Sequence, residues 1–210
     1  YPASGINVGA VVDGQVLEAG DFSAAGNDYI NVPAAALNGL TNFSLSMWFR
    51  LDAGNSFREL FSASSNGSNT ELELYINGNN EIRAGLKGAY YTFSGGSSSP
   101  VVANNVWSQV ALTRNGNQLC LYLNNNLVRC VTASSSAGLS VARAAVGIWW
   151  QANGNVTDDF RGDIDEVLLF NQTLSQVQIS QMYQNQSAGL SYDGTARSSA
   201  CGQCLTDNFS

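Results

Sequence analysis

Apolar and polar residues alternate strictly in two segments of the first half of the chain. In FSLSMWFRL (residues 43–51) every second residue is apolar, and ELELYI (residues 71–76) places its leucines and isoleucine at alternate positions. Successive side chains of a strand point to opposite faces, so each segment predicts a strand with one face in a core. Glu71, Glu73 and Tyr75 then share the opposite face of the second strand.

Further strand signals recur along the chain and are separated by turns rich in Gly and Asn. We predict strands at 29–32, 58–63, 81–86, 106–113, 118–123, 127–132, 143–149 and 164–170. Many short strands between such turns are typical of two packed sheets. The sequence therefore predicts an all-β fold, a two-sheet antiparallel sandwich.

One short helix is predicted near the C-terminus, at residues 176–184. Ser175 is its N-cap, and Gln178, three residues later, completes a capping box. Leu174 before the cap and Ile179 in the first turns form a hydrophobic staple. The apolar side chains of this segment can pack the helix on the sandwich.

Charge and composition exclude several function classes. The net charge is −7, the isoelectric point is about 4.3, and the nine basic residues are scattered, so neither nucleic acid nor an anionic membrane is an expected partner. No apolar run approaches the roughly 18–20 residues that cross a bilayer, so we expect no membrane insertion. The chain has no His, which excludes a Ser-His-Asp triad and His-ligated zinc or haem.

The four cysteines fall into two close pairs. Cys120 and Cys130 lie in LCLYLNNNLVRCV, which is typical of two strands around an Asn-rich turn, and Cys201 and Cys204 form the sequence CGQC. A redox site would need the second pair at the start of a helix, and a four-thiolate zinc site would need all four residues. We predict two local disulfides, 120–130 and 201–204, and hence an extracellular or cell-surface location.

The order of motifs resembles the laminin-G-like family of concanavalin A-like jelly rolls. The resemblance runs from AAGNDYINVP through LTNFSLSMWFRL to G-x-I-D-E-V-x-x-F-N-x-x-L-S and covers about residues 9–186. It implies a jelly-roll domain at 1–186, followed by an irregular cysteine-containing tail at 187–210. Family members mostly bind glycans or proteins, and they often hold calcium.

The tail carries a second, narrower resemblance. SYDGTAR followed by paired cysteines is similar to laminin-G-like segments in surface proteins of mannose-sensitive haemagglutinin pilus systems of marine Gram-negative bacteria. This resemblance implies a bacterial surface protein with a pilus association. It names neither the ligand nor the oligomeric state.

Acidic residues near the last predicted strand suggest a calcium site. Hard oxygen ligands from Asp163 and Asp165 can be completed by Asn27 or Asp28, because the resemblance implies that an acid of the I-D-E-V motif joins the N-terminal loop. The alternative is that Asp165 caps backbone amides of a neighbouring segment without any metal. Both interpretations remain open from the sequence.

Aromatic residues next to polar loops suggest a sugar site. Trp149 and Trp150 are adjacent on a strand, so one can fill the core while the other is exposed as a stacking platform. Hydrogen bonds to the sugar can come from the following loop, and a second aromatic pair lies beside a Gly-rich loop. The candidate ligand-binding residues are Trp149, Trp150, Asn153, Asn155, Asp158, Asp159, Tyr90 and Tyr91. These aromatic residues could equally cover the core.

Three functions follow from these features. The leading hypothesis is a non-catalytic extracellular module that binds a glycan, with calcium as a candidate cofactor, in a bacterial surface or pilus-associated adhesin. A protein-interaction or structural domain without a small ligand is the alternative, so the partner is a glycan or a surface protein. A polysaccharide-cleaving enzyme is the third, because Glu71 and Glu73 on one strand face should have Cα atoms roughly 6.5–7 Å apart.

Overall fold

Two large sheets make up most of the molecule. The structure is a computed structural model that describes residues 4–6, 8–11, 13–22, 28–54, 56–65, 69–93, 100–150 and 156–197. Within these residues the elements are β1 Ser4–Ile6, β2 Gly9–Val11, β3 Ala19–Asp21, β4 Tyr29–Val32, a short 3-10 helix Ala34–Ala36, β5 Asn42–Leu51, β6 Arg58–Ser64, β7 Thr70–Ile76, β8 Ile82–Leu86, β9 Ala89–Thr92, β10 Trp107–Asn115, β11 Gln118–Leu123, β12 Asn126–Thr132, β13 Arg143–Val146, β14 Trp149–Trp150, β15 Val156–Thr157, β16 Gly162–Phe170 and α1 Gln176–Ser187.

The strands pair antiparallel in two seven-stranded sheets. Sheet A has the order β1-β4-β13-β6-β7-β8-β9, sheet B has the order β12-β11-β10-β5-β16-β3-β2, and β14 and β15 form a separate two-stranded ribbon. The predicted all-β antiparallel sandwich with one helix near the C-terminus is confirmed. No helix among the described residues is long and apolar enough to cross a membrane.

The core lies between the two sheets and contains the predicted alternating residues. The apolar side chains at alternate positions of β5 and β7 are fully buried in one cluster. Part of the outer face of sheet B is also buried, because helix α1 packs on it through Ile179 and Met182. The ring of Trp48 on this outer face stacks on Tyr183 of the helix at 5.2 Å. The outer face of sheet A, where Glu73 lies, carries the site described below.

Helix α1 begins where the sequence predicts and ends three residues later than predicted. Both hydrogen bonds of the capping box between Ser175 and Gln178 are present. The helix continues to Ser187 because Asn185 and Gln186 are buried, and the Gln186 side chain bonds to residues of sheet B. Tertiary contacts that the sequence does not reveal thus set the end of the helix.

The predicted strand 143–149 is interrupted at Gly147. This glycine has a φ of +87°, and a Cβ atom at its position would lie 2.4 Å from the Phe22 ring. Any other side chain would be strained and would clash there. The break ends β13 at Val146 and lets Trp149 and Trp150 leave sheet A for the β14–β15 ribbon.

The hairpin of β11 and β12 holds the first cysteine pair. Cys120 and Cys130 are directly opposite in register, with Cα atoms 4.0 Å apart, and they form a disulfide. This predicted bridge is confirmed. The second pair, Cys201 and Cys204, lies outside the described residues, and its disulfide stays a prediction.

Candidate functional site

A cavity of about 270 Å³ opens on the outer face of sheet A. The described residues that line it are four aromatic and three acidic side chains: Phe57, Tyr75, Tyr90 and Trp149, together with Glu59, Glu73 and Asp158. They come from β6, β7, β9, the β14–β15 ribbon and the segments next to them. The site is therefore assembled from parts of the chain that are far apart in sequence.

Cross-strand register brings part of this lining together. Glu73 on β7 pairs with Gly85 on β8, and Gly85 pairs with Tyr90 on β9, so the three residues form one row. A Cβ atom at Gly85 would lie 3.2 Å from Oε2 of Glu73. Glycine at this position therefore leaves room for the Glu73 carboxyl group between the two strands.

The ribbon adds the remaining wall of the cavity. Trp149 pairs with Thr157, which places Asp158 next to this tryptophan. The backbone N–H of Glu59 donates a hydrogen bond of 2.8 Å to the carbonyl oxygen of Asp158. This bond ties the ribbon to β6, so the indole ring and the two carboxyl groups are held around one space.

Burial dominates the electrostatics of the three acids. The pKa of Glu59 is raised well above its ordinary value, first by burial and then by the nearby carboxylates of Glu73 and Asp158. Burial also raises the pKa of Glu73, although the hydrogen bond of 2.9 Å that the Thr70 hydroxyl donates to it lowers that pKa in part. Burial raises the pKa of Asp158 as well. Oε1 of Glu59 is buried without a hydrogen-bond partner among the described residues. A buried acceptor of this kind is costly unless a ligand or water satisfies it.

Aromatic rings form the rim of the cavity. The Tyr75 ring lies 5.9 Å from the Phe57 ring and 6.2 Å from the Tyr90 ring, and the latter pair is T-shaped. Phe57 and Tyr90 are 53% and 57% exposed, whereas Tyr75 is buried. The exposed rings offer flat apolar surfaces to a ligand, and the acids lie deeper.

Three of the predicted ligand-binding residues meet in this cavity, namely Tyr90, Trp149 and Asp158. Trp150 does not line it, because its ring packs on Tyr29 at 5.3 Å and lies under the Arg143 guanidinium. Both tryptophans are half-buried and neither belongs to the core clusters, so the expected division into one core residue and one exposed residue is not seen. Binding by these residues remains a prediction.

Two other predicted ligand-binding residues lie elsewhere. The Tyr91 hydroxyl accepts a 2.8 Å hydrogen bond from the Ser134 N–H, and Asp159 forms an ion pair with Arg161 at 3.2 Å. Asn153 and Asn155 lie outside the described residues. Phe57 and Glu59 line the cavity but do not appear among the sequence-based candidates. The signal available for Glu59 was its place in a charged pair at the start of the predicted strand 58–63.

Glu71 and Glu73 do not act as a pair in the cavity. Glu71 forms an ion pair of 2.7 Å with Lys87, and it accepts a 2.8 Å hydrogen bond from the Ser140 N–H. Only Glu73 of the two lines the cavity. The enzyme alternative, in which these two carboxylates flank a scissile bond, is therefore not supported for Glu71, because Lys87 and Ser140 hold it outside the cavity.

A family model described as the concanavalin A-like lectin/glucanases superfamily matches residues 24–180. The chain belongs to this superfamily. Among curated protein sequences none matches significantly. The predicted class of domain is thus confirmed, whereas the pilus-type origin suggested by the tail remains a prediction.

Solved structures share the superfamily fold at low identity. Domain 4 of AbnA, a GH43 extracellular arabinanase from Geobacillus stearothermophilus, in complex with arabinotriose, has a TM-score of 0.61 and 18% identity over 84% of this chain and 81% of that chain. The Ruminococcus gnavus IT-sialidase CBM40 bound to alpha2,3 sialyllactose has a TM-score of 0.60 and 17% identity over 86% and 95%. A mutant Trypanosoma rangeli sialidase displaying trans-sialidase activity has a TM-score of 0.66 and 18% identity over 90% of this chain but only 30% of that one. At these identities the likeness establishes a common fold.

The acids predicted as calcium ligands are occupied by contacts within the protein. Asp163 pairs with Nε of Arg50 at 2.8 Å, while Asp165 accepts hydrogen bonds from the Val16 N–H at 2.8 Å and the Glu166 N–H at 2.7 Å. Among the described residues no group of three or more His, Cys, Asp or Glu could hold a metal ion. Asp28 is buried, and Asn27 lies outside the described residues. Calcium binding stays a prediction.

Proposed function

We propose that the chain is a non-catalytic, extracellular glycan-binding module and that the cavity between Tyr90 and Trp149 is its sugar site. The observation that carries this proposal is the meeting of exposed aromatic rings and buried carboxyl groups in one cavity. The Cys120–Cys130 disulfide supports an oxidising compartment. The SYDGTAR resemblance supports a bacterial surface or pilus setting.

The chemistry of the lining suits a pyranose or furanose ring. A sugar presents an apolar C–H face, which can stack on Trp149 or Tyr90, and hydroxyl groups, which can donate to carboxyl oxygens. The volume of about 270 Å³ is just below the range for ligand pockets, about 300–1,000 Å³. We therefore expect one sugar ring to enter the cavity while further rings lie outside it.

The solved structures with the same fold support this proposal by analogy. The arabinanase domain is in complex with arabinotriose, and the CBM40 domain is bound to sialyllactose. Fold likeness alone does not decide function. The lining of the cavity is the independent reason for extending glycan binding to this chain.

Cleavage of a glycan is a second candidate function, and a specific observation favours it. Glu59 and Glu73 share an aromatic cavity, and burial raises the pKa of both, which is typical of carboxyl groups that act as general acids. Incubation of a bound oligosaccharide with the protein tests this function. New reducing ends that disappear in both Glu59→Gln and Glu73→Gln would establish hydrolysis, and an intact oligosaccharide would leave binding as the function.

The two adjacent tryptophans provide a matched test of the proposed site. We expect Trp149→Ala to weaken a glycan ligand found on an array by about tenfold or more, since stacking area worth about 1.5–3 kcal/mol is lost. Trp150→Ala should keep the affinity, because that ring packs on Tyr29. Calorimetric titration of both variants, with circular dichroism to confirm folding, measures the difference.

Two results would contradict the proposal. If no glycan on the array binds the wild-type protein, with or without calcium, the protein-interaction alternative is favoured. If a ligand binds but a folded Trp149→Ala variant retains wild-type affinity, the glycan site lies elsewhere on the molecule.

A further inference from the structure

We propose that the sugar bound in this cavity carries a free ammonium group, so that the ligand class is an amino sugar and not an acidic or fully N-acetylated one. The inference rests on the proposed function and specifies its ligand. It is based on the charge of the lining: Glu59, Glu73 and Asp158 converge, and no Lys or Arg is among the described residues that line the cavity.

Glu59 is the strongest indication of a cationic ligand. The residue is 4% exposed, and its Oε1 atom has no hydrogen-bond partner among the described residues, although it lines the cavity. The nearby acids disfavour its ionisation, as does its burial. A ligand that brings a hydrogen-bond donor and positive charge would satisfy the buried Oε1 atom and favour the ionised form of Glu59.

An ammonium group meets these requirements better than a hydroxyl group. It supplies three donors and no acceptor, whereas a hydroxyl group supplies one donor and also presents lone pairs to the carboxylates. Hydrogen bonds between charged partners are shorter and roughly twice as strong as those between neutral ones. A cation would also relieve the repulsion among three carboxylates that lie around one space.

The aromatic residues around the acids favour the same ligand. The negative faces of Tyr and Trp rings attract cations within about 6 Å of the ring centroid. Tyr75 lies between the Phe57 and Tyr90 rings, at 5.9 and 6.2 Å, and Trp149 lines the same cavity. The lining thus combines aromatic faces with carboxylates, a combination typical of sites for organic ammonium groups.

Two cations on and next to strand β8 are paired with acids outside the cavity. Arg83, which is opposite Tyr75 in register, forms an ion pair with Glu81 at 2.8 Å, and Lys87 forms one with Glu71. The chain as a whole carries a net charge of −7. A sugar with a carboxylate, such as the sialic acid of sialyllactose, would place its charge beside three acidic side chains and no Lys or Arg among the described lining residues.

A matched pair of ligands tests the inference without any variant. Methyl glycosides and short oligomers of glucosamine and galactosamine are titrated into the wild-type protein at a pH where the amine is protonated. The N-acetylated counterparts are titrated under the same conditions. We expect at least one free amine to bind tenfold or more tightly than its acetylated counterpart. Equal or weaker binding of every free amine overturns the inference.

Charge-removing variants then locate the ammonium group. Glu59→Gln and Glu73→Gln keep the side-chain volume, and we expect each to abolish the preference for the free amine. Glu71→Gln is the control, because Glu71 is on the same strand as Glu73 but lies outside the cavity. If Glu59→Gln does not fold, Asp158→Asn on the surface ribbon replaces it. A preference that survives Glu73→Gln and Asp158→Asn contradicts the inference.

The outcomes separate this inference from the proposed function. If an acetylated or neutral glycan binds as tightly as the amine and loses affinity in Trp149→Ala, glycan binding at the cavity is retained and the ammonium inference fails. If no amino sugar of either kind binds but another glycan on the array does, only the ammonium inference fails; if no glycan on the array binds either, both fail.

Discussion

Asp165 joins two distant segments of the chain through a single side chain. Its Oδ2 atom accepts a hydrogen bond from the Val16 N–H and its Oδ1 atom one from the Glu166 N–H. Glu166 has a φ of +52° at a β-bulge between Asp165 and Leu168. The carboxylate therefore stabilises a strained turn of the strand and holds the N-terminal loop against it, as the capping interpretation of the I-D-E-V motif requires.

Replacing this carboxylate tests whether it acts as a cap or as a calcium ligand. An Asn side chain offers only one acceptor atom, so Asp165→Asn leaves a buried N–H unsatisfied, and we expect a loss of about 1–3 kcal/mol in the free energy of unfolding. Urea unfolding measures this loss, and a cap gives the same value with chelator and with millimolar calcium. A calcium site would instead stabilise the wild type by about 2.7 kcal/mol at 100-fold excess over Kd, and Asp165→Asn would abolish that gain.

The candidate site shows what a sequence predicts at the scale of single residues. Trp149, Tyr90 and Asp158 are predictable as ligand-binding candidates because aromatic residues lie next to polar loops in the sequence. Glu59 does not, because its importance depends on register: it is opposite Tyr75 only once β6 and β7 are paired, with a bulge after it. Local sequence carries no information about which residue of another strand lies opposite.

Helix α1 and the segment after it close the outer face of sheet B through a buried polar network. The Gln186 side chain accepts hydrogen bonds from Trp48 Nε1 at 2.9 Å and Gln109 Nε2 at 3.0 Å, and it donates one of 2.8 Å to Glu166. Arg197, in the segment predicted to be an irregular tail, forms an ion pair with the same Glu166. At least this part of the segment packs on the sandwich.

Removing the arginine should destabilise the protein strongly. Glu166 is 2% exposed, so Arg197→Ala leaves a buried carboxylate without its cation, and we expect a cost of about 3–5 kcal/mol at neutral pH. Arg161→Ala is the control, because the Arg161–Asp159 pair is exposed and worth about 0–1 kcal/mol. Urea unfolding compares the two variants. Similar midpoints for both would mean that the Glu166–Arg197 pair contributes no more than a surface pair.

The sequence predicts which strands and helices exist better than it predicts the residues at which they end. Alternation identified β5 and β7, and the capping box identified the first turn of α1, because these signals are local. The interruption at Gly147 and the extension of α1 to Ser187 were missed, because the contact of Gly147 with Phe22 and the burial of Gln186 are tertiary.

At the scale of the whole molecule, the described acids with a raised pKa outnumber those with a lowered pKa. Burial raises the pKa of six carboxyl groups, those of Glu59, Glu73, Asp158, Asp163, Asp165 and Glu166. Hydrogen bonds lower the pKa of three acids nearer the surface, those of Asp13, Glu81 and Asp193. Solvent screens these three groups, so the buried set should dominate the dependence of stability on pH.

The sign of this dependence follows from proton linkage. A carboxyl group whose pKa is higher in the folded protein than in the unfolded chain binds its proton more tightly when folded. Its contribution is present in full below the unfolded pKa and is lost as pH rises through the folded pKa. The pKa of Asp165 is raised from 3.8 to about 7, which places the loss between these two values. Each such proton changes the free energy of unfolding by up to about 1.4 kcal/mol per pH unit in that window.

We therefore expect the protein to be more stable at pH 5 than at pH 7.5. Urea midpoints at the two pH values measure the difference, with circular dichroism as the signal. Asp165→Asn cannot ionise, so its stability should fall less between pH 5 and pH 7.5 than that of the wild type. A wild-type midpoint that rises towards pH 7.5 would mean that the buried acids are ionised in the folded state, held by partners or by a bound cation whose attraction exceeds the cost of burial.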